Sequence, residues 1–514
     1  MSDPRIQEAI ARLPDYFGGH VLVSGAALAL GLVISFPLAI ASLRRPALRG
    51  LLLAATSIVQ TIPGLALLAL FYPLLLGVSA LCERLTGHGF SALGFLPAVL
   101  ALTLYSMLPV VRNTITGLGT VDPAAREAAQ GVGMTPRQSL WMVELPLALP
   151  VIMAGVRTAA VWVIGTATLS TPIGQTSLGN YLFTGLQTQN WIFVLFGCVA
   201  AAVLALAADQ LLALIEQGFA QGSRNRLATG AAGLALIAGL ALVPAALRAG
   251  GTTYVIGAKP FAEQYILAAL MEDRLARAGL KASRREGLGS AVVFAALKAG
   301  EIDAYVEYSG TLWANQMQRK DVRPRAEVIA GVSSWLAQNG GVGLLGGLGC
   351  ENAYALAMRE QKAEALGIRS IADLAAHAPS LSIASDYEFF GRPEWAALRD
   401  TYGLRFREQR TMQPELMYPA AGAGDVDVIS AYTSDGRIAQ YKLRVLSDPR
   451  QAIPPYDAIL LVSPKRKDDA AFLAALRPLV DRIPVEMMRE ANRRVSGGEQ
   501  PAAAARWLEE RIGR

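Results

Sequence analysis

Apolar positions along this chain fall into two regimes. Residues 1–248 hold nearly all the long uncharged runs, whereas residues 251–514 alternate charged and apolar positions as a globular domain does. A bilayer core takes about twenty apolar residues as helix. The first regime offers six such runs, at roughly 21–43, 51–78, 94–111, 145–169, 191–215 and 227–247. Pro37, Pro63, Pro73, Pro97, Pro109 and Pro150 fall inside these runs or at their ends, where neighbouring helices must re-satisfy the freed backbone groups. The fourth run contains Arg157, which is expected to face protein or water, not lipid. The sixth is short, rich in Ala, Gly and Leu, and lacks polar residues, so it reads as a tether more than as a wall of a conduit. The pattern therefore divides the chain into a membrane domain over 1–226, a sixth span and tether over 227–250, and an attached domain over 251–514.

Basic residues then orient the spans. Arg44, Arg45 and Arg49 separate runs one and two, Arg112, Arg126 and Arg137 follow run three, and Arg224 and Arg226 separate runs five and six. The alternate loops carry Arg84 in one case and no basic residue at all over 170–190. The first set is expected in the cytoplasm, the N-terminus outside, and residues 250–514 outside. No cleavable signal peptide is expected, because residues 1–19 are polar with both charge signs and the first apolar run is long enough to span.

In the second regime the period switches to strand–helix alternation. Tyr254–Gly257 reads as a strand, and residues 261–277 repeat apolar positions at helical spacing before Gly279, a C-cap signal. A helix is expected at about 290–299, and strands at 302–306, 354–358, 381–384, 426–430 and 457–462. This is an α/β arrangement large enough for two lobes. Ligands in open α/β sheets lie outside the carboxyl ends of strands, and tyrosines stand near such places: Tyr308, Tyr354, Tyr432 and Tyr456. A set of aromatic faces suits a quaternary ammonium, a cation that cannot hydrogen-bond but gains from ring quadrupoles. Spacing alone leaves each tyrosine free to be ordinary packing.

Composition narrows the classes further. With 53% hydrophobic residues and a mean hydropathy of +0.35, the chain is too apolar for an ordinary soluble protein. Its net charge of +6 belongs to a membrane setting and needs no nucleic acid. Cys82, Cys198 and Cys350 are too few and too scattered for a disulfide framework or a zinc site. With only His20, His88 and His377, no catalytic or metal constellation is expected in the attached domain. No G-x-x-x-x-G-K-[S/T] occurs, so any ATP hydrolysis is expected in a separate subunit.

Two sets of motifs resemble known families. Glu127-Ala128-Ala129, then Gly133, then Val143-x-Leu145-Pro146 resembles the EAA loop of ABC importer permeases. The resemblance implies a short cytoplasmic helix that docks on an ATPase subunit. The attached domain resembles the substrate-binding proteins of osmoprotectant ABC importers, which take up glycine betaine, choline, carnitine and related compounds. The matching pieces are Gly257–Gln264, Glu307–Thr311, Glu351–Met358, Ala431–Ile438 and Pro454–Asp457. In the membrane half the matches lie around Gln60–Pro63, Leu108–Thr114 and Gly165–Leu169.

The resemblance implies a two-lobed periplasmic-binding-protein fold, lobe one at about 251–353 and 455–514 and lobe two at about 354–454. It implies a cage of Tyr308, Tyr354, Tyr432 and Tyr456, with Gln264 and Thr311 at the ligand's polar end. The chain departs from the pattern at Ser309, where the family has Thr, and within Ser385–Pro393, which gains Tyr387. Arg392 in that segment suits either a bidentate contact to a ligand carboxylate or a structural ion pair. Fusions of this type also include importers of ergothioneine, a trimethylated histidine derivative. The implied assembly is a homodimer of this chain with two ATPase subunits that bind the ATP and magnesium, and no cofactor or metal in this chain itself. A ligand-gated receptor is the rival class, and it has no use for an EAA-like loop.

Overall fold

The computed structural model describes residues 3–43, 45–87, 90–188, 190–248, 253–319, 321, 323–386 and 388–512. Arg44, His88, Tyr387 and the boundary stretch 249–252 lie outside the described residues. The chain separates into two compact units, Met1–Phe183 with Ile192–Gly251, and Thr184–Trp191 with Thr252–Arg514.

In the first unit, helices run α1 Pro4–Ser42, α2 Pro46–Thr61, α3 Gly64–Thr86, α4 Phe95–Gly119, α5 Pro123–Gly131, α6 Pro136–Ser139, α7 Leu145–Ala167, α8 Gly179–Gln187, α9 Trp191–Gln221 and α10 Arg224–Arg248. Among the described residues, six helical stretches are long and apolar enough to cross a membrane. Two expected boundaries need correction. The first helix begins at Pro4, capped by the Asp3 carboxylate, well before the apolar run at 21. Its polar first turns still have a buried side: Tyr16 packs edge-on against Tyr181 at 4.8 Å, and the Tyr181 hydroxyl donates to the Ala9 carbonyl.

The expected second span, 51–78, is two helices. Pro63 lacks an N–H and pushes the residue before it out of the helical region, and Ile62 is extended at φ −74°, ψ 128°. The freed Ile62 carbonyl accepts a hydrogen bond from the Tyr105 hydroxyl. The spanning helix is therefore α3, with α2 a separate 16-residue helix before it.

Helix α4 is the hub of this unit, buried along most of its length. Its neighbours approach closely because glycine stands at the crossings. A Cβ at Gly155 on α7 would lie 2.7 Å from the Pro109 carbonyl oxygen, and one at Gly31 on α1 would lie 1.9 Å from Ser106 Oγ. Small residues at crossings are how membrane helices gain packing without a hydrophobic drive. Leu195, Val199, Val203 and Leu206 on α9 stand exposed on one stripe, a lipid-facing surface.

Arg157 does face protein. Its guanidinium forks onto Asp209 of α9 through Nε at 2.8 Å and Nη2 at 2.9 Å, and Nη1 reaches Glu216 at 3.0 Å. The three charges tie α7 to α9 in a setting where none of them is tolerable alone. Arg157→Ala is expected to cost about 3 kcal/mol, because it leaves two carboxylates without their cation. The check is the denaturation midpoint of the full chain in detergent, and an unchanged midpoint would show that the triad contributes nothing to stability.

The second unit contains two five-stranded sheets. Strands β1 Tyr254–Gly257, β2 Ala282–Arg285, β3 Ala304–Tyr308, β4 Gly343–Glu351 and β10 Asp457–Val462 form one, in the order β2-β1-β3-β10-β4. Strands β5 Tyr354–Arg359, β6 Ser382–Ser385, β7 Glu408–Thr411, β8 Val428–Tyr432 and β9 Leu443–Val445 form the other, in the order β7-β6-β8-β5-β9. Helix α11, Ala262–Arg277, packs an almost wholly buried face on the first sheet and ends before Gly279, whose φ of +75° only glycine adopts freely.

Two strands end later than their apolar runs suggest. β3 continues to Tyr308 and β8 to Tyr432, because each tyrosine still has a ladder partner: Tyr308 opposite Ala458, and Tyr432 opposite Tyr354. The cage tyrosines on β3 and β8 thus terminate their strands, whereas a loop position was expected. Strands β2, β4, β7 and β9 went unanticipated. β2 and β7 are rich in charge, β4 carries four glycines, and β9 has three residues, so only pairing with neighbours makes them strands.

Candidate functional site

Tyr308 ends β3, Tyr354 begins β5, Tyr432 ends β8, and Tyr456 immediately precedes β10. Two come from each sheet, and all four line one cavity of about 230 Å³. Tyr354 lies tilted against Tyr432 with ring centroids 5.0 Å apart, and stands edge-on to Tyr456 at 5.9 Å. A fifth ring completes the wall. Phe261, at the N-cap of α11, lies nearly parallel to Tyr432 at 6.0 Å and stacks with Tyr308 at 6.1 Å. Gly310 makes room for Tyr456, since a Cβ there would sit 2.5 Å from the ring.

The hydroxyls are held from behind. Tyr308 donates to Glu263 at 2.6 Å, Tyr432 to Asp386 at 3.1 Å, and Tyr456 to Glu394. Glu263 is fully enclosed and also accepts from Ser434 Oγ and from Asn492 Nδ2 at 2.9 Å. Burial pushes its carboxyl upward from the usual range, while the three donors act in the opposite direction. Burial likewise pushes the Tyr308 and Tyr432 phenols well up, so both stay protonated and able to donate. Asp386 accepts the backbone N–H groups of Glu388 and Phe389 at 2.8 and 2.9 Å, which fixes its carboxylate beside the Tyr432 hydroxyl.

The expected polar-end residues divide. Thr311 is buried and lines the cavity. Gln264 does not appear among its lining residues: its Nε2 donates to the Val306 carbonyl at 2.9 Å and to the Tyr308 hydroxyl at 3.2 Å, while Oε1 accepts from the Lys259 N–H. It props Tyr308 from the far side. Arg392 lines the cavity and lies over the Tyr354 ring with its guanidinium carbon 5.2 Å from the centroid. It also pairs with Glu388 at 2.8 Å and approaches Glu394 at 3.5 Å. The ion-pair reading of Arg392 is thus realised, and its place in the wall leaves the ligand contact available as well. Ser309 at the departure from Thr keeps the needed hydroxyl, donating to the Pro455 carbonyl and accepting from the Asp457 N–H on either side of Tyr456.

Sequence reasoning missed Phe261, Glu263, Asp386 and Glu394. Phe261 and Glu263 stand inside the Gly257–Gln264 motif, and Asp386 and Glu394 within or beside the Ser385–Pro393 segment. The pattern carried them, but nothing in it says which residues stand behind a tyrosine.

In the first unit, α5 carries Glu127 and Ala128 exposed and Ala129 buried. The helix ends at the Gly133 turn, where φ is +82°, and α6 restarts behind a Thr135–Gln138 capping box. Arg126 ties the platform down, bonding Glu144 at 3.0 Å and the Leu118 carbonyl. Val132, Trp141 and Met142 stand exposed around the turn, an apolar patch beside an exposed helix.

Residues 252–510 match the substrate-binding domain of the ABC-type glycine betaine transport system, just over half of the chain. The chain belongs to this family. Residues 31–221 match the inner membrane component of binding-protein-dependent transport systems, so a multi-pass inner-membrane permease is fused to its binding domain, and neither part is catalytic. A relative named ergothioneine transport permease/ergothioneine binding protein, from Helicobacter pylori, is 29% identical over 486 residues, covering 90% of this chain and 84% of its own. A choline transport system permease protein of Bacillus subtilis is 38% identical over 208 residues, covering 40% of this chain and 88% of its own. A solved structure described as a glycine betaine/carnitine/choline ABC transporter is 24% identical with a TM-score of 0.45, over 50% of this chain and 98% of that one. Permease and binding domain together imply an ATPase partner and a small-molecule ligand.

Tyr308→Phe keeps the ring and removes one donor from Glu263. It is expected to lower the stability of the ligand-free chain by about 1–3 kcal/mol, measured as a fall in unfolding free energy in detergent. A neutral result would mean that Glu263 does not depend on that bond.

Proposed function

We propose that this chain binds a compound with a trimethylammonium head in the Tyr308–Tyr354–Tyr432–Tyr456 cage and conducts it inward. The observation that carries this reading is the convergence of four tyrosines and Phe261 on one cavity. Aromatic faces attract a cation that has no hydrogen to donate, and its methyl groups lose little by leaving water. Thr311 and Arg392 serve the ligand's other end, Arg392 meeting a carboxylate if one is present. The head group is glycine betaine-, choline- or carnitine-like. Ergothioneine is a second candidate on one specific ground: the relative bearing that name matches this chain along both domains.

The binding domain works outside the membrane, as the basic loops of the permease require, and its tether replaces diffusional docking with a high effective concentration. Glu127, Ala128, Ala129 and Gly133 form the platform that docks on the separate ATPase, which holds the ATP and magnesium. Two copies of this chain serve two ATPase subunits around a two-fold axis.

Calorimetry on the full chain in detergent against glycine betaine, choline, carnitine and ergothioneine tests the ligand class. Tyr432→Ala is expected to weaken the tightest of them at least tenfold, since a desolvated aromatic face contributes about 1–2 kcal/mol. Parent-like affinity in that variant would dismiss the cage. Coupling is tested separately with Gly133→Arg. A Cβ there meets nothing within 4 Å, so the side chain has room, but the left-handed backbone is strained by about 1–2 kcal/mol and a long cation enters the docking surface. Uptake in vesicles is expected to vanish while ligand binding persists; normal uptake would remove the coupling assignment.

A further inference from the structure

Three of the four cage hydroxyls end on a carboxylate: Tyr308 on Glu263, Tyr432 on Asp386 and Tyr456 on Glu394. The fourth does not. Tyr354 receives the second contact of the Tyr432 hydroxyl at 3.3 Å, and its ring lies beside the Arg392 guanidinium. We propose that Glu263, Asp386 and Glu394 are the charge-selecting residues of this site, making the cage accept an onium ion and reject a neutral group of the same shape. The proposal rests on the quaternary-amine reading and adds to it the origin of the discrimination.

The charge balance around the cage supports this. Lys259 is spent on Glu307, and Arg437 on Asp435. Arg392 serves both Glu388 and Glu394, one cation between two carboxylates. Among the described residues, Glu263 and Asp386 pair with no cation: their partners are hydroxyls, an amide and backbone N–H groups. The cage is therefore backed by an excess of negative charge in a region with little water, where a charge acts over the width of a ring. A phenol donating to a carboxylate is also polarised toward phenolate, which makes its face more negative. Shape alone cannot do this. A tert-butyl group fits wherever a trimethylammonium group fits, and apolar walls would favour the neutral form, which costs nothing to desolvate.

Two of the three carboxylates also reach across between the sheets. Glu263 on α11 reaches Ser434 beyond β8, and Glu394 on the helix Pro393–Tyr402 reaches Tyr456 before β10 and Asn315 at 3.2 Å. Glu263 and Glu394 each therefore hold a group from the opposite sheet, whereas Asp386 holds Tyr432 of its own.

The test pairs choline with 3,3-dimethylbutan-1-ol, its neutral carbon isostere, on the full chain in detergent, read by calorimetry. The parent is expected to prefer choline at least tenfold. Asp386→Asn, Glu263→Gln and Glu394→Gln should each weaken choline by roughly tenfold while leaving the alcohol within about threefold, a difference that mere loss of structure would not produce. Because the Glu263 variant disturbs three donors, Asp386→Asn is the decisive one, with an unchanged denaturation midpoint as control. Equal affinity of the parent for the two compounds, or an undiminished preference in Asp386→Asn, overturns the assignment while leaving the cage standing if Tyr432→Ala still loses ligand. A parent that binds no quaternary amine overturns both.

Discussion

A carboxylate removed from water must be surrounded by donors or it will not stay where it is. Glu263 shows what that requirement does to the rest of the binding domain. Its three donors come from β3, from the segment after β8 and from the helix Val485–Ser496, parts of the chain up to 229 residues apart in sequence. Satisfying one side chain therefore fixes the position of a cage wall, the approach of the second sheet and the packing of a C-terminal helix. Gln264, the next residue, reinforces the same wall from behind by bonding Tyr308 and the β3 backbone. The cage hydroxyls are parts of polar networks anchored in both sheets, in addition to the contacts between rings.

The permease unit answers the same constraint with different means. At the break before Pro63 the freed Ile62 oxygen accepts a hydrogen bond from the Tyr105 hydroxyl. Arg157, a cation within a span, is clasped by two acids on a neighbouring helix. Close helix crossings are left to glycines, Gly31 and Gly155, where any side chain would collide with a neighbour. The exposed platform of α5 and α6 is held by caps and by Arg126 while its apolar residues face outward. Val132, Trp141 and Met142 stand exposed there, large apolar side chains gathered around one turn.

Arg392 illustrates how a single position serves two demands. Stacked against Tyr354, it lends that wall a positive neighbour, opposite in sign to the carboxylates behind the other three. It also neutralises part of the acidic excess through Glu388 and Glu394. The cavity is thus polarised from one wall to the others, which suits a ligand carrying an onium group at one end and an anionic or acceptor group at the other.

Much of this was legible in the sequence, and for identifiable reasons. Hydrophobic run length determines membrane spans because lipid offers no partner to a polar backbone, so six spans and the exceptional status of Arg157 followed directly. The switch to short alternating segments after residue 252 marked an α/β domain, and specific motifs named its family. Span boundaries at Pro4 and Pro63 were less legible, since tertiary contacts stabilise polar turns and the break at Pro63 comes with the Tyr105 hydroxyl donating to the freed Ile62 carbonyl. The strands β2, β4, β7 and β9 were invisible because their side chains carry no period and pairing alone creates them. Tyr308, Tyr354, Tyr432 and Tyr456 were visible as candidates, and their convergence came only from resemblance. Phe261 and the carboxylates Glu263, Asp386 and Glu394 were decided by the tertiary structure alone. Periodicity records which side of an element is buried, a local property; which hydroxyl meets which carboxylate depends on two sheets arriving at one place, and no local pattern encodes that.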